Sequence, residues 1–141
     1  MQSSQAAQIL RLMHLIEVNV LEAGITATTE EGSLCLFKPV YDKPSATTYG
    51  MSSAINTFHR GECFRRVYCV EQSDPSGHVV KFSVQLKDER GGLLGQWDLD
   101  LNHGLHTHPI EGGRKAKKHL PFGGGTVDVA REVASQIKAS L

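Results

Sequence analysis

Ile9, Met13, Ile16 and Val20 stand at offsets of 0, 4, 7 and 11, one face of a helix. The spacing predicts a helix over 3–22, with Ser3 or Ser4 as its cap and Gly24 as its end. Ile25-Thr-Ala-Thr-Thr29 and Ser33-Leu-Cys-Leu-Phe37 are short β-prone runs separated by Glu30-Glu-Gly32, a pattern that predicts a hairpin. Pro39, Pro44, Gly50 and Gly61 punctuate residues 38–62, which predicts loop, with a short helix over Ser52 to Phe58. From Phe64 the period becomes two. Phe64 to Gln72 reads as a strand and Ser73 to Gly77 as a turn. His78 to Lys87 follows as a strand with Val80, Phe82, Val84 and Leu86 on one side. Asp88 to Gly92 turns the chain into a third strand, Leu93 to Leu101. Its apolar parity is Leu93, Trp97, Leu99 and Leu101, and its polar parity is Gln96, Asp98 and Asp100. Trp97 reads as core.

After a loop over 102–125, Ala130, Val133, Ala134, Ile137 and Leu141 mark an apolar stripe on a helix over 126–140 that Thr126 would cap. The expected architecture is α+β: an antiparallel meander of four to five strands within 25–101, covered by the N- and C-terminal helices. At 141 residues the chain fits a single domain, 1–141. Fifteen Lys and Arg balance fifteen Asp and Glu, so the global charge names no partner. No apolar run approaches the roughly 18 residues of a membrane span, and the N-terminus shows no basic region with a cleavage pattern. A cytoplasmic protein with no membrane partner is therefore expected. Cys35, Cys63 and Cys69 form no C-x-x-C pair, which predicts reduced, mostly buried thiols.

Chemistry concentrates in the 102–125 segment. Four of the seven histidines, His103, His106, His108 and His119, fall in 17 residues together with Arg114, Lys115, Lys117 and Lys118. An imidazole both gives and takes protons near neutrality, and neighbouring cations bind phosphate and stabilise a phosphorane. The expected catalytic groups are His106, His108, His119 and Lys118. His103, Arg114, Lys117, Arg65 and Arg66 are the expected substrate-binding groups. Asp98 and Asp100 stand on the parity that would orient an imidazole, and the N–H groups of Gly123 to Thr126 offer an anion site ahead of the last helix. No cofactor is required by this chemistry. The alternative is zinc or manganese held by His106 and His108 with Asp98 or Asp100.

His106-Thr-His108-Pro109 looks like the H-x-H-P core of JAMM-type zinc isopeptidases, where both histidines bind metal and a downstream Ser-x-x-Asp completes the site. The downstream half is missing here, because no serine occurs between Ser83 and Ser135. A second resemblance covers residues 80–141. TumE-type toxins of bacterial toxin–antitoxin pairs carry an aromatic-Asp-Asn step at a strand end, then Pro-His-His, then Phe-Pro-His-His-Lys-His. This chain is similar, with Trp97-Asp98, Asn102-His103, His106-Thr-His108-Pro109 and Lys117-Lys118-His119-Leu-Pro-Phe122 in that order. It lacks the adjacent His-His pairs, inserts Glu111 to Lys115 and has a longer N-terminal half. The resemblance implies an mRNA-interferase-like toxin that acts on RNA and is held by a cognate antitoxin protein.

The residues fit a small ribonuclease using histidine acid–base chemistry without metal, with two alternatives: a metal-dependent hydrolase built on the H-x-H cluster, or a non-catalytic nucleic-acid or protein binding module. An exposed sheet edge in so small a domain also allows a homodimer.

Overall fold

The structure is a computed structural model that describes residues 4–29, 36–41, 48–73 and 79–141. The chain is α+β. Helix α1 (Ser4–Leu21) precedes β1 (Thr26–Thr29), β2 (Leu36–Tyr41), β3 (Thr48–Arg60), β4 (Cys63–Ser73), β5 (Val79–Lys87), β6 (Leu93–Asp100) and β7 (Gly104–Thr107). Then come β8 (Ile110–Glu111), β9 (Arg114–Lys115), β10 (Leu120–Pro121) and helix α2 (Thr126–Ser140). Strands β3 to β7 form an antiparallel meander, with β1 and β2 both on the outer side of β3 and β10 beside β7. The described sheet thus has eight strands, more than the four or five that the periodicity marks.

The additional strands come from segments without a clear period. Residues 48–60 form one 13-residue strand, where a loop and a short helix were expected. Its β-branched and aromatic positions satisfy strand geometry, and pairing on both sides outweighs the local turn signals of Gly50 and Ser52. The expected hairpin between the first two strands does not form among the described residues. Thr26–Thr29 pairs with Asn56 to His59, and Leu36–Tyr41 pairs with Thr48 to Ser53, so both lie along β3. The expected cap Ser3 and residues 33–35 lie outside the described residues, as do the side chains of Ser4 and Ile9 and the thiol of Cys35. Of the other thiols, Cys69 is buried and Cys63 is exposed.

Both helices pack on one face of the sheet. Met13, Ile16 and Val20 of α1 meet Val129, Val133 and Ile137 of α2 in a core that includes Phe58, Val67, Val84, Leu86 and Trp97. Full burial of each such side chain contributes roughly 1.5–3 kcal/mol before the entropy of ordering is subtracted. Two register shifts alter the simple alternation. One between Gln72 and Ser73 makes Val79 rather than Val80 pack on the core, and one between Leu86 and Lys87 gives that place to Leu94 rather than Leu93. Gly125, and not Thr126, precedes the first turn of α2. Its N–H donates to the Asp128 carboxylate at 2.8 Å, so the chain itself takes this donor of the expected anion site.

Trp97 requires Gly95. A Cβ built on Gly95 would stand 2.6 Å from Trp97 Cη2 and 2.9 Å from Cζ3, inside van der Waals contact with a ring only 2% exposed. Gly95→Ala is expected to cost about 1–3 kcal/mol through overpacking, read as a lower urea midpoint at unchanged slope. An unchanged midpoint would mean the indole has room to move.

Candidate functional site

Strand β6 ends at Asp98-Leu-Asp100, whose two aspartates stand on the far side of the sheet from Trp97. Asp100 Oδ1 accepts from the N–H groups of Asn102 at 2.9 Å and His103 at 2.7 Å, which folds the chain into the turn that reverses it. Gly104, at φ 63, restarts extended structure in a conformation that a side chain rarely adopts. The resulting register sets His106 opposite Asp98, with Pro121 of β10 on its other side.

What was expected as a loop over 102–125 is thus partly strand, and this regularity brings the histidines together. The four imidazoles form one cluster. Ring centroids are separated by 3.8 Å for His103 and His119, which stack at 2°, and by 4.6 Å for His108 and His119. The spacing is 4.8 Å for His106 and His119, 5.0 Å for His106 and His108 and 5.3 Å for His103 and His106.

His106 and His108 are 2% and 7% exposed, whereas His103 and His119 face solvent. Each buried ring is fixed by the backbone. His106 Nδ1 donates to the Gly104 carbonyl at 2.8 Å, leaving Nε2 for the cluster. His108 Nδ1 donates to the Ala116 carbonyl at 2.9 Å, and Ala116 is itself held by its N–H on the Pro109 carbonyl. His108 Nε2 also lies 3.2 Å from Asp98 Oδ2, so both its nitrogens face acceptors. His103 Nδ1 pairs with Asp100 at 3.1 Å. Each carboxylate of the polar parity therefore orients one imidazole.

A residue that the sequence did not single out completes the support. Gln96, 4% exposed, donates from Nε2 to both Asp98 oxygens at 3.0 and 3.1 Å and accepts from Gln85 Nε2 at 3.0 Å. The only signal for it was its shared parity with Asp98, two residues on. Lys115 Nζ lies 4.0 Å from Asp98 Oδ2, the nearest cation to the cluster among the described ion pairs. Arg114, Lys117 and Lys118 are exposed on the same β9–β10 stretch.

Charge follows from this crowding. For Asp100, desolvation acts upward but is outweighed by hydrogen bonds from the His103 N–H, the His103 ring and the Asn102 N–H, which hold the carboxyl at about 2. His119 is lowered from its ordinary value, by desolvation first and then by the neighbouring His103, His108 and His106, with Asp100 acting in opposition.

Arg65 and Arg66, both expected to bind substrate, lie away from the histidine cluster. Arg65 binds the Ser140 carbonyl at 2.7 Å and Glu89 at 3.0 Å, by the end of α2. Arg66 pairs with Lys87, and Lys87 with Leu93, five residues along β6 from Asp98. That is about 17 Å of strand. The meander is present as expected, but β4 enters it with these arginines at the opposite end.

Three-ligand groups occur twice among the described residues. Asp98, His106 and His108, or His103, His106 and His119, bring one ligand atom each within 4.8 Å of the others. No helix among the described residues is long and apolar enough to cross a membrane. Comparisons with protein-family models, curated proteins and solved structures find no match for the chain.

A second buried titratable group lies apart from the histidines, on the helix-covered face. Glu71 is 4% exposed, and its Oε1 has no hydrogen-bond partner among the described residues. It lines a cavity of about 240 Å³ with Leu12, Leu15, Phe82 and Arg11. Burial pushes its carboxyl from 4.5 up to about 7.

Proposed function

We propose that the chain cleaves RNA at the histidine cluster, with imidazoles as the proton-transfer groups. The observation that supports this most is the convergence of four imidazoles, two of them buried with backbone-fixed Nδ1 atoms, beside a cationic hairpin. With its proton at Nδ1, His106 presents Nε2 as an acceptor for a ribose 2′-OH. The 2′-oxygen then bonds to phosphorus, the bond to the 5′-oxygen breaks, and His119 delivers a proton to that leaving oxygen. Atoms balance with no co-reactant, and the products carry a 2′,3′-cyclic phosphate and a 5′-OH. His108, held between Asp98 and Ala116, positions the cluster, and Lys115 with Lys118 or Arg114 offsets the charge of the phosphorane. Its similarity to TumE-type toxins over residues 80–141 adds a biological setting: a cytoplasmic toxin, an antitoxin protein as partner and a possible homodimer through the sheet edge.

The test is cleavage of mixed RNA by the wild type and by a His106→Ala/His119→Ala variant shown by circular dichroism to be folded. The wild type is expected to cut and the variant to be inert. Equal cleavage by both would remove the histidines from the chemistry.

A second reading has its own observation. Metal-ligating histidines commonly donate their other N–H to a backbone carbonyl, as both buried rings do here. The 3.2 Å between His108 Nε2 and Asp98 Oδ2 is also close to the roughly 3.4 Å edge of a tetrahedral zinc site. Asp98, His106 and His108 would then hold zinc or manganese and leave a position for water. Stoichiometric metal in the purified protein, with cleavage lost on chelation and restored by zinc, is the result this reading expects; metal-free activity contradicts it.

A further inference from the structure

The strand face away from the helices continues from the histidines across the meander. Register aligns Gln96 with Gln85 and Gln85 with Tyr68, and the two glutamines touch at 3.0 Å. With strands about 4.8 Å apart, Tyr68 stands about 10 Å across the sheet from Gln96, which itself binds the Asp98 that orients His108. Two aromatic rings on this face are each overlain by a cation. Lys87 Nζ lies 4.8 Å from the Tyr68 centroid, and Arg66 Cζ lies 4.8 Å from the Phe64 centroid. All four side chains are only partly buried. Alternation also assigns charge to this face. On β4 and β5 its described positions include Arg66, Lys81 and Lys87 and no carboxylate, so the first acidic groups met on the way to the histidines are Asp98 and Asp100 of β6.

We propose that this face is a track for single-stranded RNA that feeds the histidine cluster, with Tyr68 as a base-stacking platform and Lys87 and Arg66 as phosphate contacts. The proposal rests on the RNA-cleavage reading and adds where the substrate lies. An aromatic ring offers every base a π-face, and single strands are held by such rings beside cations that follow the backbone. Contact between Lys87 and Tyr68 does not block this use. A cation over a partly exposed ring is held more weakly than a stacked base, so a base displaces the ammonium, which stays on its flexible stem to meet the adjacent phosphate. Duplex RNA cannot present its bases to such a surface, so the track selects single strands.

Binding of a fluorescein-labelled single-stranded decamer RNA to the full-length His119→Ala protein tests the proposal without cleavage of the probe. Tyr68→Ala is expected to weaken binding about 10-fold, whereas Tyr68→Phe, which keeps the ring, stays near the parent. Lys87→Ala is expected to reduce the slope of log affinity against log salt by about 1. In the active protein Tyr68→Ala should raise KM for the decamer about 10-fold at unchanged kcat and leave cleavage of a dinucleotide unaffected. Undiminished binding by Tyr68→Ala, an equal loss in Tyr68→Phe, or no decamer binding by the parent overturns the track. Cleavage independent of Tyr68 overturns it while leaving the histidine chemistry standing. Tyr68-dependent binding with no cleavage of any RNA sustains the track and removes the chemistry.

Discussion

His119→Ala is expected to lower kcat/KM for RNA cleavage by about 100- to 10,000-fold, the range for loss of one positioned acid–base group. The melting curve should not move. His119 is exposed, with no described hydrogen bond, yet its ring lies 3.8, 4.6 and 4.8 Å from His103, His108 and His106. Its removal therefore takes away chemistry and not core. His106→Ala behaves differently, because the ring is 2% exposed and its Nδ1 satisfies the Gly104 carbonyl. That variant should lose activity to a similar degree and also about 1–3 kcal/mol of stability, for the cavity and the abandoned acceptor. Parallel steady-state kinetics and thermal melts on the two variants separate the cases. If His119→Ala retains full activity, His119 has no part in proton transfer.

The second large effect concerns Glu71 and pH. The folded-state value of about 7 against an ordinary 4.5 means the folded protein keeps a proton that the unfolded chain gives up. The associated stability is fully present below pH 4.5, declines above it and is lost as pH rises through about 7. The difference of roughly 2.5 pKa units corresponds to about 3 kcal/mol. Glu71→Gln keeps the shape and removes the titration. Its unfolding free energy, followed in urea from pH 4.5 to 8, should lose this decline and exceed that of the wild type at pH 8. Subtracting the two curves cancels the titration of the histidines, which both proteins share. Parallel curves would show that water or a cation reaches Glu71 in the folded state.

The elements that could be read from sequence were those whose burial pattern is one-sided. Phe82, Val84 and Leu86 repeat every second residue because one face of β5 is core, and Ala130, Val133 and Ile137 repeat as a helix does because α2 covers it. Strand β3 escaped because it is stabilised by pairing with β4 on one side and β1 and β2 on the other, which its own pattern does not display, while its Ser, Thr and Gly read as turn formers.

At the site, the clustering of His103, His106, His108 and His119 was visible as residue density, and Asp98 and Asp100 as parity. Support from Gln96 and from the Gly104 and Ala116 carbonyls was not, since backbone carbonyls carry no sequence signature and a glutamine on a strand is ordinarily a solvated residue. The distance of Arg65 and Arg66 from the histidines was hidden for a related reason. Their adjacency in sequence sends them to opposite faces, Arg65 to the end of α2 and Arg66 to the Phe64 ring.

The most direct measurement is incubation of metal-stripped protein with mixed RNA in EDTA, followed by analysis of the product 3′ ends. Histidine acid–base cleavage predicts fragments ending in 2′,3′-cyclic phosphate at a rate unaffected by EDTA. Cleavage that appears only after zinc or manganese is added, or none under either condition, would contradict it.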